Sequence, residues 1–346
     1  MEIAYSGKLL KIPEFGTFPD QETALDDRIN SEMVELAVYS CWYPYWSFGN
    51  KFDISLEVSL PEEWKCVCSG RKTKEVKENN RVVSWWSSKK DIDIVVIASP
   101  ELKNKTVKTS SGIIDVYYSK LPEKYIIKET NEIEKSLNLF TSLLGKPHIS
   151  GSVVKHVYSP KKKGQGSISR AGMIITSEGR ILDELTRNQD ISYLHSIAHE
   201  IAHFWWNFGT GQGDWINETF AEYFSLIAIR EISSKKRFDE YIDKYKKMVE
   251  KLPEDAPSLS EVPPVNDNNG YIIRYYKGSL MLDYFRELLG DKKFFKICKD
   301  FYIKFNEIGA GTSQFKDFWS KRLGKHRAML DVWLNAKGGL NNLKLK

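Results

Sequence analysis

The 346-residue chain is short of several things, and each shortage removes a class of protein. It has no run of about 18 apolar residues, the length a helix needs to span a bilayer, so no membrane segment is expected. Its start, "MEIAYSGKLLK", lacks a basic leader followed by an apolar stretch, which points to a cytoplasmic protein. Charge of one sign is scarce too: 51 basic and 46 acidic side chains leave a net +5, spread along the whole length. Without a basic arm, nucleic acid is not an expected partner. Cysteine is rare, and Cys41, Cys66, Cys68 and Cys298 are too few and too scattered for a disulfide framework. The C-x-C at 66 to 68 has no second pair or histidine at zinc-finger spacing, so all four read as reduced and structural. No internal repeat or low-complexity tract is visible. What remains, 41% hydrophobic and 28% charged positions, suits a globular protein with a real core and room for two or three domains.

The pattern changes along the chain. "KFDISLEV" (51 to 58), "RVVSWWSS" (81 to 88), "DIDIVVIAS" (91 to 99) and "GIIDVYYS" (112 to 119) alternate like strands between Pro, Gly, Asn and Lys turns. They predict an all-β domain over residues 1–120. Helical spacing then begins in "ETNEIEKSLNLFTSLLG" (129 to 145), with Ile133, Leu137, Phe140 and Leu144 on one face and Gly145 as its stop. Two strand-like stretches, "SGSVVKHVYS" and "GMIITS", follow, joined by the basic loop "PKKKGQGSISR" (160 to 170). From Asp190 onward nearly everything is helical, with helices expected near 191–207, 215–231, 235–251, 278–289, 291–306 and 312–323. The fold class is therefore α+β, with a mainly helical second domain over 121–346.

That second domain carries His199-Glu200-Ile201-Ala202-His203, an H-E-x-x-H sequence. Histidines four apart on a helix share a face about one turn apart, so two imidazole nitrogens can meet one ion. Asp190 suits the N-cap of this helix, and Leu194, Ile197, Ala198, Ile201 and Ala202 give it an apolar stripe of its own. A catalytic zinc needs three protein ligands and an open position, so a third must come from elsewhere. Glu218 and Glu222, four apart on the next helix, are the candidates: one as ligand, the other as acceptor for the second ring nitrogen of a ligating histidine. His195 lies about 12 Å along the helix axis from His203, too far to share the ion, and reads as a packing residue or an outer partner. Glu200 cannot reach the ion but can reach a water beside it, which makes it the general base of a hydrolysis. A donor aimed at the carbonyl oxygen would complete the site, and the cluster "GYIIRYYKG" (270 to 278) offers Tyr271, Tyr275 or Tyr276.

With these residues in view, the chain resembles the gluzincin zinc metallopeptidases, specifically the aminopeptidase N family, which also includes leukotriene A4 hydrolase. The resemblance rests on "HEIAHFWW" (199 to 206), "DWINETFAEYF" (214 to 224) and "YYKGSLMLDYFRELLGDKKFF" (275 to 295). Weaker matches lie in "CWYPYW" (41 to 46), "LPEEWKCVCSG" (60 to 70) and the closing "FKDFWSKRLG" and "DVWLNAKGG". It implies one zinc ion on His199, His203 and Glu218, with Glu222 as an outer partner of a zinc histidine and Tyr275 as the oxyanion donor. Between His203 and Glu218 only 14 residues (204 to 217) intervene, four fewer than is usual, and a shortened loop "NFGTGQGD" absorbs the difference. The resemblance also implies a shortened N-terminal β-domain followed by a thermolysin-like catalytic domain, without the family's large C-terminal helical domain.

One departure bears on substrate. Family aminopeptidases carry a Gly-x-Met-Glu-Asn sequence whose glutamate grips the free amine, yet between Lys161 and Thr176 this chain has no acidic residue. Ser169, Arg170 or Ile174 stands in its place according to register, and Arg170 would repel an ammonium group. Glu178 is the nearest substitute, expected on a turn. The strand with Gly172, Met173 and Ile174 is expected to remain the edge along which an extended peptide pairs. The expected function is peptide-bond hydrolysis, aminopeptidase-like with altered amine recognition. Two rivals are hydrolysis of a non-peptide electrophile and a zinc-holding peptide-recognition module with little turnover.

Overall fold

The computed structural model describes residues 6, 29–40, 42–44, 51–110, 112–147, 149, 153–161, 167–187, 193–209, 213–263 and 267–343. Cys41, Asp190 and most of the basic loop after Pro160 lie outside the described residues. The chain forms two compact units, residues 1–126 with 149–191, and residues 127–148 with 192–346.

The first unit is built of sheets. Strands β1 (Val34–Leu36), β3 (Lys65–Cys68) and β6 (Val96–Ser99) form one sheet in the order β1-β6-β3, and β2 (Phe52–Pro61), β4 (Arg71–Glu78) and β5 (Arg81–Asp91) another in the order β2-β5-β4. The third sheet joins β7 (Lys103–Thr109) and β8 (Gly112–Tyr118) to β9 (Val153–Ser159), β10 (Ser167–Arg170) and β11 (Met173–Ser177), in the order β10-β11-β9-β8-β7. Its middle is parallel: β8 pairs with β9 (Ile114 opposite Val154) across helix α1 (Glu123–Leu144), as a crossover connection requires. The chain first crosses between the units at 126/127, near the expected boundary, but residues 149–191 return to the first unit, because the strand at 112–118 hydrogen-bonds to the strand after the helix. Val67, Trp86, Val96, Ile97, Val157 and Ile175 meet in the core of this unit.

Two further corrections concern the substrate strand. β11 is not an edge: it pairs antiparallel with β10 and parallel with β9, and Met173 and Ile174 are buried within it. The edge is β10, which holds Ser169 and Arg170 opposite Ile174 and Met173. Glu178 is not on a turn but opens helix α2 (Glu178–Arg187).

The second unit is helical: α3 (Leu194–Ala202), α4 (Trp215–Ala228), α5 (Lys235–Val249), the short α6 (Asn268–Tyr271), α7 (Gly278–Leu289), α8 (Asp291–Phe305), α9 (Thr312–Leu323) and α10 (Arg327–Asn335). α1 ends at Gly145, whose φ of +89° is the left-handed conformation that suits glycine, and its Phe140 packs edge-on to Trp205 and Phe224. α4 is apolar on nearly every side and runs through the middle, with Phe220 stacked on Trp206 at 4.2 Å. Two π-helical turns interrupt the regular helices, Ile229–Ser233 after α4 and Ile272–Lys277 before α7. The architecture is α+β, all-β sheets followed by helices. No helix among the described residues is long and apolar enough to cross a membrane.

Candidate metal centre

α3 is shorter than its sequence pattern, ending at Ala202 with tight turns through Trp206 instead of running to 207. The early stop has a chemical consequence. A helical carbonyl at Trp206 would point onward along the axis, whereas here it turns back and accepts a hydrogen bond from His203 Nδ1 at 3.0 Å. His199 Nδ1 donates to Glu222 Oε2 at 2.8 Å. With both Nδ1 atoms engaged, both rings present Nε2 to the same point, as metal-ligating histidines do.

Glu218 meets them there. Its Oε2 lies 3.4 Å from His199 Nε2 and 3.5 Å from His203 Nε2. A tetrahedral zinc with bonds of about 2.1 Å spaces its ligands about 3.4 Å apart, which these distances match. The same Oε2 is buried without a hydrogen-bond partner, an arrangement that costs free energy unless something cationic fills the gap. His199, His203 and Glu218 are the group able to hold a metal among the described residues, and they fit zinc.

Charge follows the geometry. Burial disfavours the charged imidazole of His199, but Glu218 and Glu222 outweigh it and hold its pKa well above the ordinary value in the metal-free protein. His203 is raised too, burial being outweighed chiefly by Glu218. Burial likewise opposes ionisation of Glu218, yet His203 and His199 keep its carboxyl well below the usual range. Glu200 is buried on α3, and its negative charge acts on both imidazoles.

Tyr275 sits in the π-helical turn, its ring stacked on His199 at 5.5 Å and 3° from parallel. Burial, then the neighbouring Glu218 carboxylate, pushes its pKa well above 10, so the phenol stays protonated and able to donate. Of the other two candidates, Tyr276 stacks on Tyr245 at 4.1 Å, and Tyr271 stacks on Tyr275 at 4.2 Å. The turn reaches α3 because α4 and α7 approach closely at Gly278, where a Cβ would stand 2.0 Å from Thr219 Oγ1. Thr219 in turn donates to the Arg274 carbonyl at 2.5 Å.

The sequence pattern missed three supporting residues. Asn217 clamps the shortened loop, accepting from Gly209 N at 2.7 Å and donating to Gly209 O at 3.2 Å. The fully buried Lys277 donates to the carbonyls of Ala336 and Gly338 at 2.6 and 2.7 Å. Tyr245, on α5, donates to Glu222 Oε1. Adjacency to Glu218 and to Gly278 could have drawn attention to the first two; nothing in the sequence links Tyr245 to the histidines.

The residues considered for amine recognition belong to the first unit. Glu178 is committed elsewhere: its Oε1 accepts from the backbone N–H of Ser119 and Lys120 at 2.8 Å and of Leu121 at 3.1 Å. Arg170 is no free cation, since its Nε donates to buried Asp93 at 2.6 Å. Gly172, Met173 and Ile174 offer the interior of a sheet, with only backbone already paired on both sides of Met173 and Ile174.

Two imidazoles and a carboxylate at metal-ligand spacing, with a further buried glutamate between the histidines in sequence, define a candidate metal-centre protein built of sheets and a helical unit. The model of the Peptidase family M1 domain matches residues 134–333, and the chain belongs to that family. Human endoplasmic reticulum aminopeptidase 2 is 30% identical over 140 residues, 36% of this chain and 14% of that protein. Among solved structures, an M1 zinc metallopeptidase mutant from Deinococcus radiodurans bound to a Tyr-Ser-Ala substrate superposes with a TM-score of 0.67 at 18% identity, covering 82% of this chain and 64% of that one. A two-domain M1 zinc metallopeptidase mutant bound to L-arginine gives 0.66 at 17% identity, covering 84% and 66%. These likenesses show the shared fold, and the chain spans under two thirds of each relative's length.

Proposed function

We propose that this chain is a zinc-dependent peptidase that hydrolyses peptide bonds with water, using His199, His203 and Glu218 as metal ligands. The observation that carries the reading is that Glu218 Oε2, buried and otherwise unsatisfied, lies at the ligand spacing of a tetrahedral zinc from Nε2 of both His199 and His203. Zinc bound there supplies a Lewis acid that polarises a carbonyl and makes a water acidic near neutral pH. Glu222 and the Trp206 carbonyl hold the two imidazoles with Nε2 inward. Glu200 takes the proton of the attacking water on its carboxylate and delivers it to the leaving amine nitrogen. Tyr275 donates its phenolic proton as a hydrogen bond to the carbonyl oxygen as negative charge grows there, a contribution of about 3 kcal/mol.

Peptide is the substrate class supported by the Tyr-Ser-Ala bound to the Deinococcus relative. Amine recognition differs from that of aminopeptidases proper. No acidic residue occurs from 161 to 176, and Glu178 is spent on three backbone amides, so a free N-terminus gains little from either. A buried Glu200 and a protonated Tyr275 favour turnover over mere binding, which needs neither.

The test is to incubate zinc-loaded protein with matched free and N-acetylated peptides. Cleavage of both at comparable rates supports the reading. Cleavage of free peptides alone would restore amine recognition, and binding without cleavage would leave a recognition module.

A further inference from the structure

Glu222 orients His199, yet a buried carboxylate held at one oxygen could still swing. Its second oxygen, Oε1, is held by two donors from different helices. Tyr245 on α5 donates its hydroxyl to Oε1, and His195 Nε2, one turn before His199 on α3, lies 3.1 Å from the same oxygen. His195 Nε2 and the Tyr245 hydroxyl are themselves 3.2 Å apart, so the three groups form a closed triangle. Both donors are braced by rings: Tyr241 lies parallel to His195 at 4.7 Å, and Tyr276 stacks on Tyr245 at 4.1 Å. The bracing continues through Tyr271, edge-on to Tyr276 at 5.3 Å and stacked on Tyr275 at 4.2 Å, and Tyr275 returns to His199.

We infer that His195 and Tyr245 are positioning residues for the metal centre, fixing Glu222 in the one rotamer that locks the His199 tautomer and thereby setting how tightly zinc is retained. The inference rests on the metal-ligand reading above. Its logic is geometric: an imidazole presents Nε2 to a metal only while Nδ1 keeps its proton, and that proton stays on Nδ1 only while an acceptor faces it. Glu222 remains that acceptor because Oε1 is pinned. Tyr245 is almost wholly enclosed, so the hydroxyl that pins Oε1 is itself shielded from bulk solvent.

The test compares zinc affinity, by competition with a chromophoric chelator, in the parent, Tyr245→Phe, Glu222→Gln and the double variant. Tyr245→Phe keeps the ring that stacks on Tyr276 and deletes only the hydroxyl. Loss of an outer partner of a ligand weakens metal binding by roughly 10 to 100-fold, and Tyr245→Phe is expected near about 10-fold. In the Glu222→Gln background the same change should add less than about 2-fold, because its route to the metal is already cut. His195→Gln, which retains a side-chain N–H, should weaken zinc less than His195→Ala, a rescue that simple packing loss would not give. Parent-like zinc affinity in Tyr245→Phe, or effects of Tyr245→Phe and Glu222→Gln that multiply, overturns the inference while leaving the metal site intact. A parent protein that binds no zinc overturns both readings. If Tyr245→Phe does not fold, the His195→Gln and His195→Ala comparison decides.

Discussion

Gly278 is the point at which the site's geometry can be broken without touching any group that meets substrate or metal. A methyl added there would stand 2.0 Å from Thr219 Oγ1, 2.8 Å from its Cγ2 and 2.9 Å from its Cβ. Thr219 has no easy escape: it is fully buried, β-branched, and bonded through Oγ1 to the Arg274 carbonyl at 2.5 Å. Overpacking of this kind costs about 1–3 kcal/mol, and losing the Thr219 hydrogen bond about 1 more. Alanine in place of glycine at the start of α7 returns at most about 1 kcal/mol of helix propensity. Gly278→Ala should therefore be destabilised by a net of about 1–3 kcal/mol, a fall in Tm of roughly 3–10 °C for a unit of this size. Tyr275 lies three residues before Gly278, so peptide turnover should fall by more than the small loss of folded protein explains. Thermal unfolding by circular dichroism gives the first number and steady-state kinetics the second. Adding Thr219→Ala removes Oγ1 and Cγ2 and should restore at least half of the lost Tm. A Gly278→Ala protein as stable and active as the parent would refute the close-approach argument, as would a double variant no better than the single.

Four other outcomes are expected. Glu200→Gln should keep zinc at parent stoichiometry, by elemental analysis, and lose peptide turnover by more than about 10²-fold, since the base is gone and the ligands are not. Glu218→Ala should lower zinc affinity far more than Glu222→Ala, for which about 10 to 100-fold is the range of an outer partner; the reverse order would exchange their roles. Tyr275→Phe should lower kcat by about 10²-fold or more with little change in zinc content, the signature of a lost oxyanion donor. The metal-free protein should also respond to pH in a defined direction. His199 is raised above its ordinary 6.5, so its contribution to stability is full below that pH and is lost as pH rises through the raised value. Glu218 is lowered from its ordinary 4.5, so its contribution is full above that pH and is lost on acidification. Zinc replaces the protons on the imidazoles, so the gap in Tm between loaded and chelated protein should widen steadily from about pH 6 to about pH 8. A gap that narrows over this range would contradict the charge states described.

How much of this was legible beforehand depended on whether a feature is local. The four-residue interval from His199 to His203 and the carboxylates at 218 and 222 follow helical periodicity, so the structure's grouping of His199, His203 and Glu218 was open to reading. Helices α4, α5, α7, α8 and α9 begin at the residues their apolar stripes suggest. Strands β4, "RKTKEVKE", and β7, "KNKTVKT", escaped notice because edge strands dressed in lysine carry almost no apolar alternation. That β9, β10 and β11 return to the unit holding β8 was hidden for a different reason. Alternation reports that a strand exists, not which strand it will pair with, and β8 pairs across α1 with β9. Mistaking β11 for an edge came from the same gap, since the short β10 that covers it has only Ile168 as an apolar residue. Glu178 shows the limit at a single side chain: only the fold brings residues 119 to 121 to its carboxylate. Tyr245 is similar, 23 residues beyond Glu222 in sequence and bonded to it in space.

The most direct measurement is an anomalous difference map, collected at the zinc absorption edge, from crystals grown with zinc. The account expects a single strong peak about 2.1 Å from Nε2 of His199, Nε2 of His203 and a carboxylate oxygen of Glu218, with the remaining coordination position free of protein. No peak at that point, or a fourth protein side chain closing the coordination, would contradict it.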